Sequence, residues 1–309
     1  MKKLHFVVSL PNDNSYQHEQ AVSATETAHR LGAEVEILRA NNDAVTQSQQ
    51  VLEVIQSKSS RPDAILVEPL TMTGLVRSAE AAVAAGIGWV VLNSDVDYLS
   101  RLRSSSNVIV FGVTREHTEI GRIQGRQFAA LLPEGGTVLY IQGPANNSAA
   151  MQRTAGLEST KPPNIHLKTL RSDWEEASAR QAVSSWLRLS TNRAISIGVV
   201  GCQYDGIAKG ARRAFEDLAE GSEREQWMKL PFTGVDGLAR EGKAWVDQGI
   251  LAATVVSLTT TQVAVQMLVQ AISDGTQPPL RTLIDLASYP ALESLSARGK
   301  KAAVAKMGS

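Results

Sequence analysis

The sequence predicts an α/β fold built from two doubly wound parallel-sheet lobes, and three observations carry that expectation. Short β-branched strands recur along the chain, each ends in a polar or Gly-rich loop, and most are followed by a segment of helical period. Strands alternating with amphipathic helices are the pattern of a parallel sheet with helices on its faces. The strands are too many for one compact sheet, and 309 residues exceed the size at which a single core stops growing. In such sheets ligands bind outside the carboxyl ends of the strands, so the functional residues are expected where the strands stop.

Taken in order, strands are expected at 4–9, 35–39, 64–67, 89–92 and 108–111, with helices at 17–31, 46–58, 71–85 and 116–132. Pro69 stops the third strand, and Thr71-Met72-Thr73-Gly74 reads as a helix start because a threonine hydroxyl can cap exposed amides. Gly32, Gly86 and Gly135-Gly136 stand where helices should end, since glycine accepts the left-handed conformation. A second series follows, with strands at 137–141, 195–200, 232–235 and 252–256 and helices at 148–159, 175–189, 205–219, 238–248 and 260–273.

Composition excludes several classes of function. Lys+Arg 31 against Asp+Glu 31 leaves no net field, which disfavours nucleic-acid binding because phosphate backbones need clustered positive charge. The basic tail around Arg298, Lys300 and Lys301 is too short to change this. Cys202 is the single cysteine, so no disulfide within the chain and no thiolate-rich metal site can form. It ends an apolar strand and reads as a buried, inert thiol. No apolar run approaches the ~18 residues of a membrane span. The start, Met1-Lys2-Lys3-Leu4-His5-Phe6-Val7-Val8, resembles the opening of a signal peptide, but His5 interrupts it and Pro11 ends it, so it reads as strand one. Either an export signal has been removed, giving a periplasmic or extracellular protein, or the protein is cytoplasmic.

Gly237-Leu238-Ala239-Arg240-Glu241-Gly242-Lys243 matches the first seven positions of a phosphate-binding loop, but Ala244 stands where a magnesium-binding hydroxyl is required. Leu-Ala-Arg-Glu is helix-forming, so a helix starting after Gly237, with Lys243 on its solvated face, is expected instead. Gly-x-Ser-x-Gly, His-Glu-x-x-His and Gly-x-Gly-x-x-Gly are all missing, and His5, His18, His29, His117 and His166 show no helical pairing. No catalytic residue, cofactor or metal is therefore expected, and the protein is not read as an enzyme.

Six segments, in order, carry a resemblance to a known family. They are Val7-Val8-Ser9 with the loop to Tyr16, Pro62-Asp63-Ala64-Ile65-Leu66-Val67-Glu68-Pro69, Ala85-Gly86-Ile87-Gly88-Trp89-Val90-Val91-Leu92-Asn93, Gln142-Gly143 with Ser148-Ala149-Ala150 and Arg153, Tyr204-Asp205 with Ala208 and Gly210, and Thr233-Gly234-Val235-Asp236-Gly237. Over nearly its whole length the chain resembles the periplasmic sugar-binding proteins of the ribose-binding type. These type I periplasmic binding proteins share their fold with the effector domains of lactose-repressor-like regulators. The resemblance implies two lobes joined by three crossovers, near Val113-Thr114, Ser257-Leu258 and Asp285-Leu286. The lobes would be 1–113 with 258–285 and 114–257 with 286–309, with the ligand cleft between them.

The resemblance also implies a ligand set. Asn12, Asp13, Ser15 and Tyr16 follow strand one, where the family places an Asn and aromatic rings; Tyr16 could equally pack on its own lobe. Asn93 stands for a customary Asp and Ser94 for a frequent Arg, with Asp95 and Asp97 near enough to compensate. Arg153 aligns with the family arginine, whose guanidinium can present two donors, and a surface arginine is the rival reading. Trp174 sits where an aromatic stacks on the ring, although tryptophan often fills cores. Tyr204 replaces an Asn, Asp205 reads as a helix cap, and Ser257 replaces a ligand-bonding Gln. Asp236 ends a strand before Gly237 and would accept hydrogen bonds from sugar hydroxyls, its rival role being an N-cap.

The function so implied is capture of a small polar solute, a sugar or sugar derivative, by hinge closure, with delivery to the membrane permease of an ABC-type transporter by a monomeric protein. The alternative is a ligand-sensing effector domain of a regulatory or signalling system, separate from its DNA-binding or kinase module. An enzyme using the same crevice is disfavoured by the missing signatures.

Overall fold

The computed structural model describes residues 3–57, 59–71, 73–189, 195–218 and 220–297. The chain begins with β1 (Leu4–Leu10), α1 (Ser15–Arg30), β2 (Ala33–Arg39), α2 (Ala44–Gln56), β3 (Ala64–Val67), α3 (Val76–Ala84), β4 (Gly88–Leu92), α4 (Leu99–Ser104) and β5 (Val110–Arg115). It continues through α5 (His117–Leu131), β6 (Gly136–Gln142), α6 (Ser148–Glu158), β7 (Ile165–Arg171), α7 (Glu176–Leu187), β8 (Ile197–Cys202), α8 (Asp205–Glu216) and α9 (Ser222–Met228). It closes with β9 (Phe232–Thr233), α10 (Gly242–Asp247), β10 (Thr254–Val256), α11 (Thr260–Asp274), β11 (Arg281–Ile284) and β12 (Ala287–Tyr289).

Two compact units emerge from this order. The described residues up to Arg115 join Leu258–Asp285 in the first, and Glu116–Ser257 joins the described residues from Leu286 onward in the second. The first unit holds a six-stranded sheet in the order β11-β5-β4-β3-β1-β2, parallel throughout. Its central strands are apolar along their whole length because helices cover both faces. Phe6, Val8, Leu66, Val90 and Phe111 meet α1 and α11 on one face, while Val7, Ile65, Trp89 and Val91 meet α2, α3 and α4 on the other. The returning helix α11 is fastened to α1 by a buried clasp: Thr261 Oγ1 donates to Gln20 O at 2.7 Å, and Thr261 N donates to Gln20 Oε1 at 3.0 Å.

In the second unit β7, β6, β8 and β9 form a parallel sheet, and β10 pairs antiparallel with β12. Single bridges join Thr233, the last residue of β9, to Ala253 just before β10, and Asp236 in the turn after β9 to Val256 of β10. Its outer core is aromatic: Phe215 stacks on Trp227 at 4.8 Å, and Trp186 and Phe232 meet that pair edge-on. Offset and edge-on ring pairs are favourable beyond their buried area.

The structure corrects several sequence expectations. The fifth strand lies at Val110–Arg115 rather than 108–111, because Gln277 takes the preceding backbone, donating to Val108 O and accepting from Val110 N. Helix α3 starts at Val76, not Thr71: the Thr71 hydroxyl accepts from Gly74 N in a local turn, and Met72 lies outside the described residues. Strand β7, an edge strand exposed at His166, Thr169 and Arg171, was not expected, nor were α4, α9, β11 and β12. The helix expected at 238–248 begins at Gly242. Arg298, Lys300 and Lys301 lie outside the described residues. Among the described residues no helix is long and apolar enough to cross a membrane.

Candidate functional site

In the first unit the carboxyl ends of β1, β3, β4 and β5 present Ser9, Glu68, Asn93 and Arg115. Asn93 Nδ2 donates to Glu68 Oε1 at 3.1 Å, and Arg115 Nε donates to Asn93 Oδ1 at 3.2 Å, so the amide links an anion to a cation. Glu68 and Arg115 are both buried. The Arg115 guanidinium covers the Tyr16 ring at 4.6 Å from its centroid, an arrangement worth about 2 kcal/mol when desolvated. Asn93 adopts φ 53°, which asparagine tolerates better than most residues. Gln47 steadies this floor by donating to Glu68 O at 2.9 Å and accepting from Leu70 N at 3.0 Å.

The other first-unit candidates lie in the loop before α1 or beside Asn93. Asn12 donates to Asn42 Oδ1 at 2.8 Å and accepts from Asn14 N, and Asp13 pairs with Arg39 at 2.6 Å. Ser15 is the exposed first residue of α1, whose cap is Asn14, and Ser94 is half-buried beside Asn93. Asp97 is exposed. Asp95 does not compensate for the missing Asp and Arg, because it pairs with Arg281 of β11 at 2.7 Å. The carboxylate and guanidinium nearest Asn93 are instead those of Glu68 and Arg115, which the sequence reading left out of the ligand set.

In the second unit Arg153 lies on α6 and is 3% exposed, so the surface reading of this residue fails. Its Nη1 donates to Gln203 O, and its guanidinium stands 5.4 Å from the Trp174 ring centroid. Trp174, at φ 61°, packs against Gly143, where an added Cβ would fall 2.3 Å from the indole. Gln203, fully buried at the end of β8, is the hub of this half. Its Nε2 shares its two hydrogens among Tyr140 Oη, Ala150 O and Thr154 Oγ1 at 2.9 to 3.0 Å, and its Oε1 accepts from Gly143 N at 3.0 Å. Burial pushes the Tyr140 phenol well above its ordinary range and keeps it a neutral donor. Removing a buried hub strands its partners, so Gln203→Ala should cost about 2–4 kcal/mol, read from urea unfolding. A loss below 0.5 kcal/mol, the size of an ordinary surface substitution, would refute the hub role.

Tyr204 is buried as the N-cap residue of α8, and Ser257 follows β10 half-buried. Asp205 does not cap its own helix, as the sequence suggested. Its Oδ2 accepts from Gly237 N at 2.7 Å and its Oδ1 from Thr254 Oγ1 at 2.8 Å. The Gly237 amide is thereby committed to a carboxylate, which physically excludes the phosphate-loop reading; Lys243 meanwhile lies over the Tyr289 ring. Asp236 is 6% exposed at φ 104°, and its N–H donates to Val255 O at 2.9 Å. Burial first, and the neighbouring Asp236 second, hold the Asp205 carboxyl well above the usual carboxylate range. Cys202 is buried and its thiol is pushed up by that burial, as expected of an inert cysteine. Among the described residues no group of three His, Cys, Asp or Glu side chains is placed to hold a metal ion.

The arrangement defines a class: an α/β protein of two units whose strand ends carry buried donors, acceptors and aromatic faces, suited to holding a polar solute. A family description, "Periplasmic binding protein domain", matches residues 6–277, and the chain belongs to that family. It is 27% identical over 236 residues to the D-allose-binding periplasmic protein of Escherichia coli (strain K12), covering 74% of this chain and 71% of that protein. Among solved structures, an ABC transporter periplasmic solute-binding protein from Actinobacillus succinogenes with bound D-allose superposes with a TM-score of 0.78 at 20% identity, over 96% of this chain and all of that one. The fructose-binding periplasmic domain of a hybrid two-component system superposes at 0.74 with 22% identity, covering 99% and 97%. These relatives are binding proteins, not enzymes, and the fold is that of type I periplasmic binding proteins.

Proposed function

We propose that the protein is a periplasmic receptor that captures a small polyhydroxyl solute, a sugar, sugar derivative or polyol, and passes it to the permease of an ABC-type transporter. The observation that carries this reading is the pairing of buried Arg153 with Trp174 in a unit that also holds buried Asp236 at a strand end. A guanidinium donor, a carboxylate acceptor and an indole face match the O–H and C–H surfaces of a pyranose or furanose. Asn12, Asp13, Ser15, Tyr16, Asn93, Ser94, Tyr204 and Ser257 complete the proposed ligand set, and Glu68 and Arg115 are added to it. Capture proceeds by hinge closure, because only contacts that strengthen in the closed form can drive the change. The protein acts as a monomer and makes or breaks no bond. The named ligand of the Escherichia coli relative supports the sugar class.

A second reading, a sensor domain, is supported by the likeness to the periplasmic domain of a two-component system. Thermal shift against D-allose, D-ribose, D-fructose, xylitol, myo-inositol, amino acids and nucleosides tests the ligand class, because a ligand of the folded state raises stability by mass action. Stabilisation by a sugar or polyol supports both readings. Stabilisation by an amino acid or nucleoside alone overturns the solute class. Solute-stimulated ATP hydrolysis by a reconstituted permease separates the transporter reading from the sensor reading.

A further inference from the structure

We propose that Asp205 is the positioning residue for Asp236, fixing the turn that presents the Asp236 carboxylate through the Gly237 amide and the Thr254 hydroxyl. The inference rests on the reading of Asp236 as a solute ligand. Asp205 is fully buried where α8, β10, α10 and the turn after β9 converge. Its N–H donates to Val235 O at 2.9 Å, and its two carboxyl oxygens engage Gly237 N and Thr254 Oγ1. Gly234 and Gly242 close around it so tightly that a Cβ on either would fall 2.0 Å from a carboxyl oxygen.

The turn needs such a fastening. Asp236 at φ 104° and Gly237 at φ 56° are consecutive residues with positive φ, and a non-glycine residue stays there only when its surroundings fix it. The charges facing Asp205 are those of Asp236 in the turn and Glu241 in the loop before α10, both negative, and the Cys202 thiol of β8 adjoins it. With burial they favour the protonated form. A protonated carboxyl still accepts from Gly237 N through one oxygen, while its O–H can donate to Thr254 Oγ1, since a hydroxyl serves as donor or acceptor. Asparagine reproduces both bonds, and alanine reproduces neither.

The sign of the pH dependence follows. The stability that neutral Asp205 contributes is fully present below the ordinary carboxylate value, about 4, and is lost as pH rises through its raised value. The test uses the purified full chain as wild type, Asp205→Asn, Asp205→Ala, Asp236→Asn and the double variant Asp205→Asn with Asp236→Asn. Melting temperatures are read from pH 4 to 9, and titration calorimetry uses D-allose, D-ribose, xylitol and myo-inositol. Asp205→Ala is expected to lose at least tenfold in affinity, and Asp205→Asn to stay within threefold of wild type with a flatter pH profile. The melting temperature of Asp205→Asn relative to wild type should rise with pH, and this gain should shrink in the Asp236→Asn background. Asparagine binding as weakly as alanine, parallel pH profiles, or a gain independent of residue 236 would each overturn the proposal. Wild-type affinity in Asp236→Asn would overturn the solute role of Asp236, while the melting data still judge the coupling of the two carboxyls without any solute.

Discussion

Asp236→Ala is expected to abolish the solute-induced rise in melting temperature and to weaken affinity about 10²- to 10³-fold, because a buried carboxylate accepting two hydroxyl hydrogen bonds contributes about 3–4 kcal/mol in total. The carboxylate is concentrated at one point: it lies 6% exposed at the end of a β-bridge, on a turn whose backbone is fixed by Val255 and Asp205. Such preorganisation means that little ordering cost is met when the solute arrives. The same substitution removes a negative neighbour from buried Asp205, which lowers the electrostatic cost of ionising that carboxyl. Titration calorimetry and thermal melts on one preparation check both halves. An affinity within threefold of wild type, with the cooperative melt intact, would move the solute away from this strand end.

What the sequence made legible was whatever local patterning controls. Buried parallel strands are near-continuous apolar runs, so β1, β3 and β4 could be read almost to the residue, and the site was expected where they stop. Strand β7 was missed because it is an edge: Ile165 is buried while His166 and Thr169 face solvent, and only Ile165, Leu167 and Leu170 of its seven residues are apolar. Glu68 and Arg115 were missed for a different reason. Their link runs through Asn93, which stands 25 residues from one and 22 from the other, and no periodicity joins positions that far apart. One signal was available: Glu68 closes an all-apolar strand just before Pro69, and a carboxylate placed there must be paired or used. Asp205 was read as a cap because aspartate leads at helix starts, yet three-dimensional packing against Gly234, Gly237 and Gly242 gives it another task.

The departures at Asn93 and Ser94 therefore do not leave the first unit without charge. They relocate it one strand to either side, to the end of β3 and the end of β5, and a neutral amide bridges the two. A carboxylate and a guanidinium held this way offset each other's desolvation, and the amide fixes their separation. Arg115 also covers one face of Tyr16, so that face is not free for a sugar ring.

Gly156→Ala, like Gly121→Ala, should be among the most damaging single-methyl changes in the second unit, costing about 3 kcal/mol through overpacking. Helices α5 and α6 cross backbone to backbone: a Cβ on Gly156 would fall 1.9 Å from Thr118 O, and one on Gly121 would fall 1.9 Å from Arg153 O. Neither obstacle is the movable end of a side chain, so the helices must separate. Because α6 carries Arg153 and the Ala150 and Thr154 acceptors of Gln203, separation also loosens the proposed solute contacts of this unit. At about 2–4 °C per kcal/mol for a unit of this size, the melting temperature should fall about 6–12 °C. Gly125→Ala provides the internal comparison, since its Cβ would meet Lys161 N at 3.1 Å, a contact that a small shift can relieve. Gly121→Ala combined with Gly156→Ala should cost less than the sum of the two, because one separation of the helices relieves both clashes. Equal losses for Gly125→Ala and Gly156→Ala, or a fall below 2 °C for the latter, would show that the α5–α6 crossing does not set the position of Arg153.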